Sequence, residues 1–278
     1  MKGFENSFLP EQEKWQKKET SARFLAGIDV HVGTSLGKIE VTGKENIDEI
    51  PPGAKVVIVV THISDLDLPV AIKTLGHDFD IVVTAQSTNF NFLEDPVGYT
   101  VTKIAGAENF LPVDYAKVNG GKRAEFNPDN FDSMNKALEE GKEIVIAAHN
   151  PTKDGKLGNG SVGPIYLAQI SGAIILPVSV NLKTAEALGI DGENKIKTML
   201  KKPDTEVYIG KPIKLDQLEG VDEIKKIMNK RAQGEKISNE ERSKFRVIVS
   251  ELREQSDVVM NELAGMLPEA KRGDYNKI

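Results

Sequence analysis

Apolar residues in the first two thirds of the chain fall in short unbroken runs rather than in helical stripes. The runs cover 56–60 (VVIVV), 81–83 (IVV), 144–148 (IVIAA) and 174–180 (IILPVSV). Each is rich in β-branched side chains and bounded by glycine, proline or charge, the pattern of strands buried on both faces. Helical patterns lie between them, over 69–75 with Gly76 as a stop, 130–140 ended by Gly141, and 164–170 ended by Gly172. Two weaker strands are expected at 38–41 and 206–209. Buried strands alternating with helices predict an α/β fold, a single largely parallel sheet flanked by helices.

The pattern changes at both ends. Ser238 followed by Glu241 fits a capping box, and Phe245, Val249, Leu252, Val259, Leu263 and Met266 then form an amphipathic stripe that stops at Pro268. Ser256 interrupts that stripe, so a helix packed on its own core is expected rather than a coiled coil. Just before it, 232–239 (AQGEKISN) reads as a mobile connection. Near the start, Phe4, Phe8 and Trp15 share one helical face, with Phe24 and Leu25 following and Pro10 breaking the stripe. A helix docked on the core is the first reading, and an interfacial membrane helix the second. The division expected is a helical extension over 1–37, an α/β domain over 38–220, and a helical C-terminal extension over 221–278 packed on that domain.

Composition narrows the chemistry. With 278 residues, 39% hydrophobic and 28% charged, the chain can bury a sizeable core. A formal charge of −6 offers no domain-wide basic field for nucleic acid. The absence of cysteine removes thiolate zinc sites and cysteine nucleophiles and suits a reducing cytoplasm. No run approaches the ~20 apolar residues of a membrane span. A cytoplasmic protein is expected, with peripheral association at the inner face of the membrane as a further expectation.

The richest stretch is 55–76, KVVIVVTHISDLDLPVAIKTLG, in which a buried strand runs into Thr61, His62, Ile63, Ser64, Asp65, Leu66 and Asp67 before a helix. Strand ends in such sheets open onto the crevice where ligands bind. A histidine there can take a proton from a hydroxyl near neutral pH, and Asp67 can hold its other ring nitrogen and fix the tautomer. Ser64 can cap exposed amides at the helix start. A His-x-x-x-x-Asp spacing is common by chance, and a lone strand-end histidine is more often structural. Asp65 and Asp67 also admit a second reading, a metal-dependent transferase, although no third carboxylate is near them in sequence. The 154–163 stretch, DGKLGNGSVG, lacks the order of a phosphate-binding P-loop and reads as a turn-rich connection. His31 and His77 read as structural.

From 38 to the C-terminus the motifs resemble, in order, those of the glycerolipid acyltransferases typified by lysophosphatidic acid acyltransferase. KIEVTG at 38–43 with GAKVVIVVTHISDLDLP is similar to the opening and first block, and NFLPVDY at 109–115 to the second. IVIAAHNPTKDGK at 144–156 stands where the third block belongs, with GPIYLA at 163–168 and ILPVSV at 175–180 beyond it. EVYIGKPIKL at 206–215 and LPEAKRGDY at 267–275 resemble the closing strand and tail. The resemblance implies transfer of a fatty acyl group from acyl-CoA or acyl carrier protein to a hydroxyl of a glycerolipid-like acceptor. His62 would be the general base and Asp67 its orienter, with no metal and no bound cofactor.

Four positions depart from the family's motifs. Thr61 replaces the asparagine before the histidine, Tyr115 replaces the arginine that holds the acceptor's phosphate, and Ala148 and His149 stand where the third block has glutamate and glycine. The acceptor apparatus is therefore expected to differ. Ser64, Tyr115, Arg123, His149 and Lys153 are the substrate-binding candidates, with Lys117, Lys122 and Lys156 as further cations nearby, each more often a solvated surface charge. The same losses motivate a rival reading, a lipid-binding relative that kept the fold and lost the reaction.

Overall fold

The computed structural model describes residues 20–86, 102–103, 106–113, 116–117, 124–125, 130–150, 152, 154–183 and 202–275. Phe4, Phe8 and Trp15 at the N-terminus, and Tyr115, Lys122, Arg123 and Lys153 among the candidate contacts, lie outside them.

Helix α1 (Ala22–Ser35) opens the described chain, with the Ser21 hydroxyl accepting from the Phe24 N–H. Strand β1 (Ile39–Thr42) follows, then β2 (Val56–Val60), α2 (Asp67–Leu75) and β3 (Ile81–Gln86). Next come β4 (Phe110–Val113), an antiparallel pair of β5 (Ala116–Lys117) and β6 (Ala124–Glu125), and α3 (Asn130–Glu139). The chain continues through β7 (Glu143–Ala147), α4 (Val162–Ser171), β8 (Ile174–Leu182) and β9 (Thr205–Ile209), and ends in α5 (Val221–Ala232) and α6 (Asn239–Gly265).

The main sheet has seven strands in the order β1-β9-β8-β2-β7-β3-β4. Strands β8, β2, β7, β3 and β4 run parallel, while β9 pairs antiparallel to β8 and carries β1 parallel to itself. The largely parallel α/β sheet expected from the apolar runs is thus present, with helices at both ends. Part of the second block forms the edge strand β4, an edge being where Pro112 is tolerated. Phe110 of that strand meets Phe24 of α1 edge-on at 5.3 Å.

The two faces of β2 explain why its apolar run is unbroken. Val56, Ile58 and Val60 point into a core shared with α1 and α2, and Val57 and Val59 into one shared with α3, α4, α5 and α6. Helix α6 starts with the expected capping box between Ser238 and Glu241. Ser256, the interruption in its stripe, is buried and its hydroxyl donates to the Ser161 carbonyl at 3.2 Å. The connection expected to be mobile is a turn, in which the Gly234 N–H bonds Arg231 O at 3.1 Å and the Glu235 N–H bonds Lys230 O at 2.9 Å.

These layers place a crevice. The chain leaves β2 toward α2 on one face of the sheet, and leaves the adjacent β7 toward α4 on the other. Neighbouring parallel strands whose connections depart to opposite faces leave an opening at their carboxyl ends, where ligands of such sheets bind.

Candidate active site

Two histidines meet at that opening. His62 lies just beyond β2 and His149 just beyond β7, and the strands stay joined past their ends by Ala148 N–H to Val60 O at 2.7 Å. The His62 backbone N–H donates to His149 Nε2 at 3.3 Å. Sequence spacing alone did not pair them, since they are 87 positions apart.

Thr61, which precedes His62, is fully buried and serves the sheet. Its N–H donates to Val178 O at 3.1 Å and its hydroxyl oxygen accepts from the Val180 N–H at 3.0 Å, clasping β2 to β8. Thr61→Val, of the same shape but without the hydroxyl, leaves that buried strand amide unpaired. It is expected to cost about 1–3 kcal/mol in thermal or denaturant unfolding.

The five residues from His62 to Leu66 form a compact loop that leads into α2. The Asp67 carboxylate turns back over this loop, and its Oδ2 accepts from the Ile63 N–H at 2.8 Å and the Ser64 N–H at 3.2 Å. The Ser64 hydroxyl oxygen accepts from the Leu66 N–H at 3.0 Å, and the Ser64 carbonyl from the Asp67 N–H at 3.2 Å. Ser64 is buried and thus plays the turn-building part expected of it.

His62 itself is half-buried, and its Nδ1 lies 3.2 Å from the Ser64 carbonyl oxygen. A carbonyl oxygen only accepts, so Nδ1 carries the proton and Nε2 presents a lone pair. This differs from the expected arrangement, in which Asp67 would hold the ring. Asp67 is committed through Oδ2 to the loop amides, and its fully buried Oδ1 has no hydrogen-bond partner. Burial pushes the Asp67 carboxyl well above the usual carboxylate range, against the opposing pull of the two amides and of the Lys271 charge. Burial likewise holds the His62 imidazole below its usual 6.5, although the Ser64 carbonyl and Asp65 favour the cation.

His149 is buried and neutral for a geometric reason. Its Nδ1 donates to the Asn150 carbonyl at 2.7 Å, so Nε2 must be unprotonated to accept from His62. Burial lowers its pKa to about 4. Both ring nitrogens are spent on main-chain partners. The expected direct contact between this ring's nitrogens and substrate is therefore not available in this arrangement.

Lys271, on the tail after α6, is a further charged group near the site that is absent from the sequence candidates. Its half-buried ammonium donates to Asn181 Oδ1 at 2.9 Å and Leu182 O at 2.6 Å, at the carboxyl end of β8. Burial lowers its pKa, opposed by the charges of Asp67 and Glu206. The tail is fixed beside the 154–160 loop by Leu157 N–H to Lys271 O at 2.9 Å and Gly160 N–H to the Tyr275 hydroxyl at 3.3 Å. Gly273, at φ +58°, permits this closeness, since a Cβ there would lie 2.2 Å from Leu157 O. The signal in sequence is the pair of cations in LPEAKRGDY, far from the strand-loop-helix segment that carries His62.

Other candidates do not join the site. His77 is exposed on the turn after α2, and Asp154 and Lys156 belong to a surface turn. Among the described residues no cluster of three or more His, Cys, Asp or Glu side chains is arranged to hold a metal. The reading of Asp65 and Asp67 as metal ligands lacks its third partner there. No helix among the described residues is long and apolar enough to cross a membrane.

Fold and site together define a largely parallel α/β protein with two buried or half-buried histidines at the carboxyl edge of its central strands. No protein-family model and no curated protein sequence matches the chain. Among solved structures, it is similar to the 1-acyl-sn-glycerophosphate (LPA) acyltransferase PlsC from Thermotoga maritima. The identity is 16%, the match covers 76% of each chain, and the TM-score is 0.47.

Proposed function

We propose that this protein is an acyltransferase that moves a fatty acyl group from a thioester, acyl-CoA or acyl carrier protein, to a hydroxyl of a glycerolipid-like acceptor. The observation that carries the reading is the state of His62. Its Nδ1–H is held by the Ser64 carbonyl, burial favours the neutral ring, and no hydrogen-bond partner occupies Nε2 among the described residues. It stands where a parallel sheet opens. The ordered motif resemblance from 38 to the C-terminus supports acyl transfer as the chemistry of that opening.

In this mechanism the acceptor hydroxyl gives its proton to His62 Nε2 as its oxygen attacks the thioester carbonyl. The tetrahedral intermediate collapses with cleavage of the C–S bond, and the departing sulfur takes the proton back from the imidazolium. A thioester is already activated, so no covalent enzyme intermediate is needed. The N–H groups of Thr61, His62, Ile63, Ser64, Leu66 and Asp67 are all engaged in holding the loop. None of these six donors is left over to stabilise the oxyanion. Asp67 supports the base through the main chain, by fixing the two amides that follow it.

The test is release of free thiol from a long-chain acyl-CoA by the purified full chain, with and without acceptors. Release above the His62→Ala background supports the reading. Its absence with every thioester and acceptor offered would leave a lipid-binding relative without the reaction. Lysophosphatidic acid is expected to be a poor acceptor, since a neutral phenol at Tyr115 and a methyl at Ala148 replace the charged groups of the resembled motifs. A competition between lysophosphatidic acid and uncharged lysolipids or simple alcohols checks this, and a clear win for lysophosphatidic acid would overturn the altered-acceptor reading.

A further inference from the structure

Two strand ends converge on one imidazole, and only one of them supplies it. The other, the end of β7, supplies His149. This residue is 2% exposed, and its ring spans two main-chain groups, the His62 N–H on one side and the Asn150 carbonyl on the other.

The protein has built a pocket for that ring. His149 forms an antiparallel bridge with Gly160, and the Ser161 N–H returns to Ala148 O at 2.8 Å. Gly158 closes over it, and a Cβ there would come within 3.2 Å of His149 Nδ1 and 2.9 Å of Thr152 Cγ2. The bend behind is seated against α6, where a Cβ on Gly160 would meet Ser256 Oγ at 2.5 Å and Met260 Cγ at 2.6 Å. Nothing in that enclosure frees either ring nitrogen for substrate.

We propose that His149 is a positioning residue for the general base, holding the His62 main chain from the neighbouring strand and so fixing where the His62 ring enters the crevice. This rests on the reading of His62 as the base and adds to it a residue that the resembled third block does not carry. The imidazole suits the task because its two nitrogens point in different directions, one donating and one accepting, as long as the ring is neutral. An uncharged acceptor behind the His62 amide also avoids placing a second cation beside the imidazolium that forms during transfer. A displacement of the base by about 1 Å can cost on the order of 10²-fold in rate, so a main-chain anchor can matter to turnover without touching substrate.

Three variants of the full chain separate the contacts. In His149→Gln the side-chain oxygen can reach the Nε2 position and still accept from His62. In His149→Asn only the Asn150 contact can be kept, and in His149→Leu both are lost. The expected kcat for thiol release is within about threefold of wild type for Gln, and lower by about tenfold or more for Asn and Leu, with KM changed less than kcat. Nitrogen-15 NMR of the imidazoles in wild type provides a readout that does not need activity. His149 should show the Nδ1–H tautomer and stay neutral as the pH falls through the range where exposed histidines titrate. The His62 amide should be protected from exchange in wild type and Gln, and exposed in Leu. Thiol release absent in wild type, with the NMR pattern as expected, would refute the base reading while keeping the His149–His62 contact. An Nε2–H tautomer at His149 would overturn the proposal. So would a folded Leu variant with wild-type kcat and a protected His62 amide.

Discussion

His62→Ala is expected to lower the rate of thioester acyl transfer by about 10²–10⁴-fold, the usual contribution of a positioned general base. The fold should survive, because among the described residues the ring makes one hydrogen bond, to the Ser64 carbonyl, and a typical bond of that kind contributes about 1 kcal/mol. The loop's other ties, Asp67 to the Ile63 and Ser64 amides and Ser64 to the Leu66 amide, do not use the imidazole. The pH profile should carry the signature of the same ring. Transfer needs Nε2 unprotonated, and burial holds the ring below 6.5 by more than the Ser64 carbonyl and Asp65 raise it. Activity in wild type should therefore rise with pH along a limb centred below 6.5 and be flat through neutrality. A profile that climbs through pH 7–8 would assign the base to another group, and a folded Ala variant with wild-type turnover would end the mechanism.

What was legible in the sequence follows from how each signal is encoded. Strands β2, β7 and β8 could be read because strands buried on both faces are written as contiguous apolar residues. The loop could be read because a strand, a histidine and a helix start are local. Edge strand β4 was not read as a strand, for FLPV is short, contains proline and is only partly buried. The hydrogen-bond pattern around His62 was legible only in part. The spacing placed Asp67 within reach of the loop, but an Asp at the first position of α2 can satisfy either the ring or the amides N-terminal to it. Nothing linear decides between them. The contact of His149 with His62 is non-local by nature, since it depends on β7 being inserted beside β2 after the chain has already built β3 and β4. Ser256 shows the same limit in another form. It broke an apolar stripe on paper, and in the structure it meets the Ser161 carbonyl.

Substitutions at Asp67 separate its two conceivable roles. Asp67→Ala deletes the acceptor of two buried amides, and at about 1–3 kcal/mol for each group left unpaired the expected loss is roughly 2–6 kcal/mol in unfolding. Asp67→Asn can keep its side-chain oxygen on both amides and place its amino group where Oδ1 now lies without a partner. It should lose less stability than Ala. The difference from wild type should also change sign-wise with pH. The folded-state pKa of Asp67 lies above 3.8, so its neutral form is favoured by folding. That contribution is complete below 3.8 and is lost as the pH rises through the folded-state pKa. The Asn variant has no proton to lose and should gain on wild type over that rise. Because the Ser64 carbonyl already fixes the His62 tautomer, a folded Asp67→Asn is expected to keep turnover within about tenfold of wild type, unlike a histidine partner whose loss inverts the tautomer. Thermal melts from pH 4 to 8 alongside thiol release measure both effects. A loss of about 10³-fold or more in a well-folded Asn variant would instead mean that the ring turns from Ser64 to Asp67 Oδ1 during transfer.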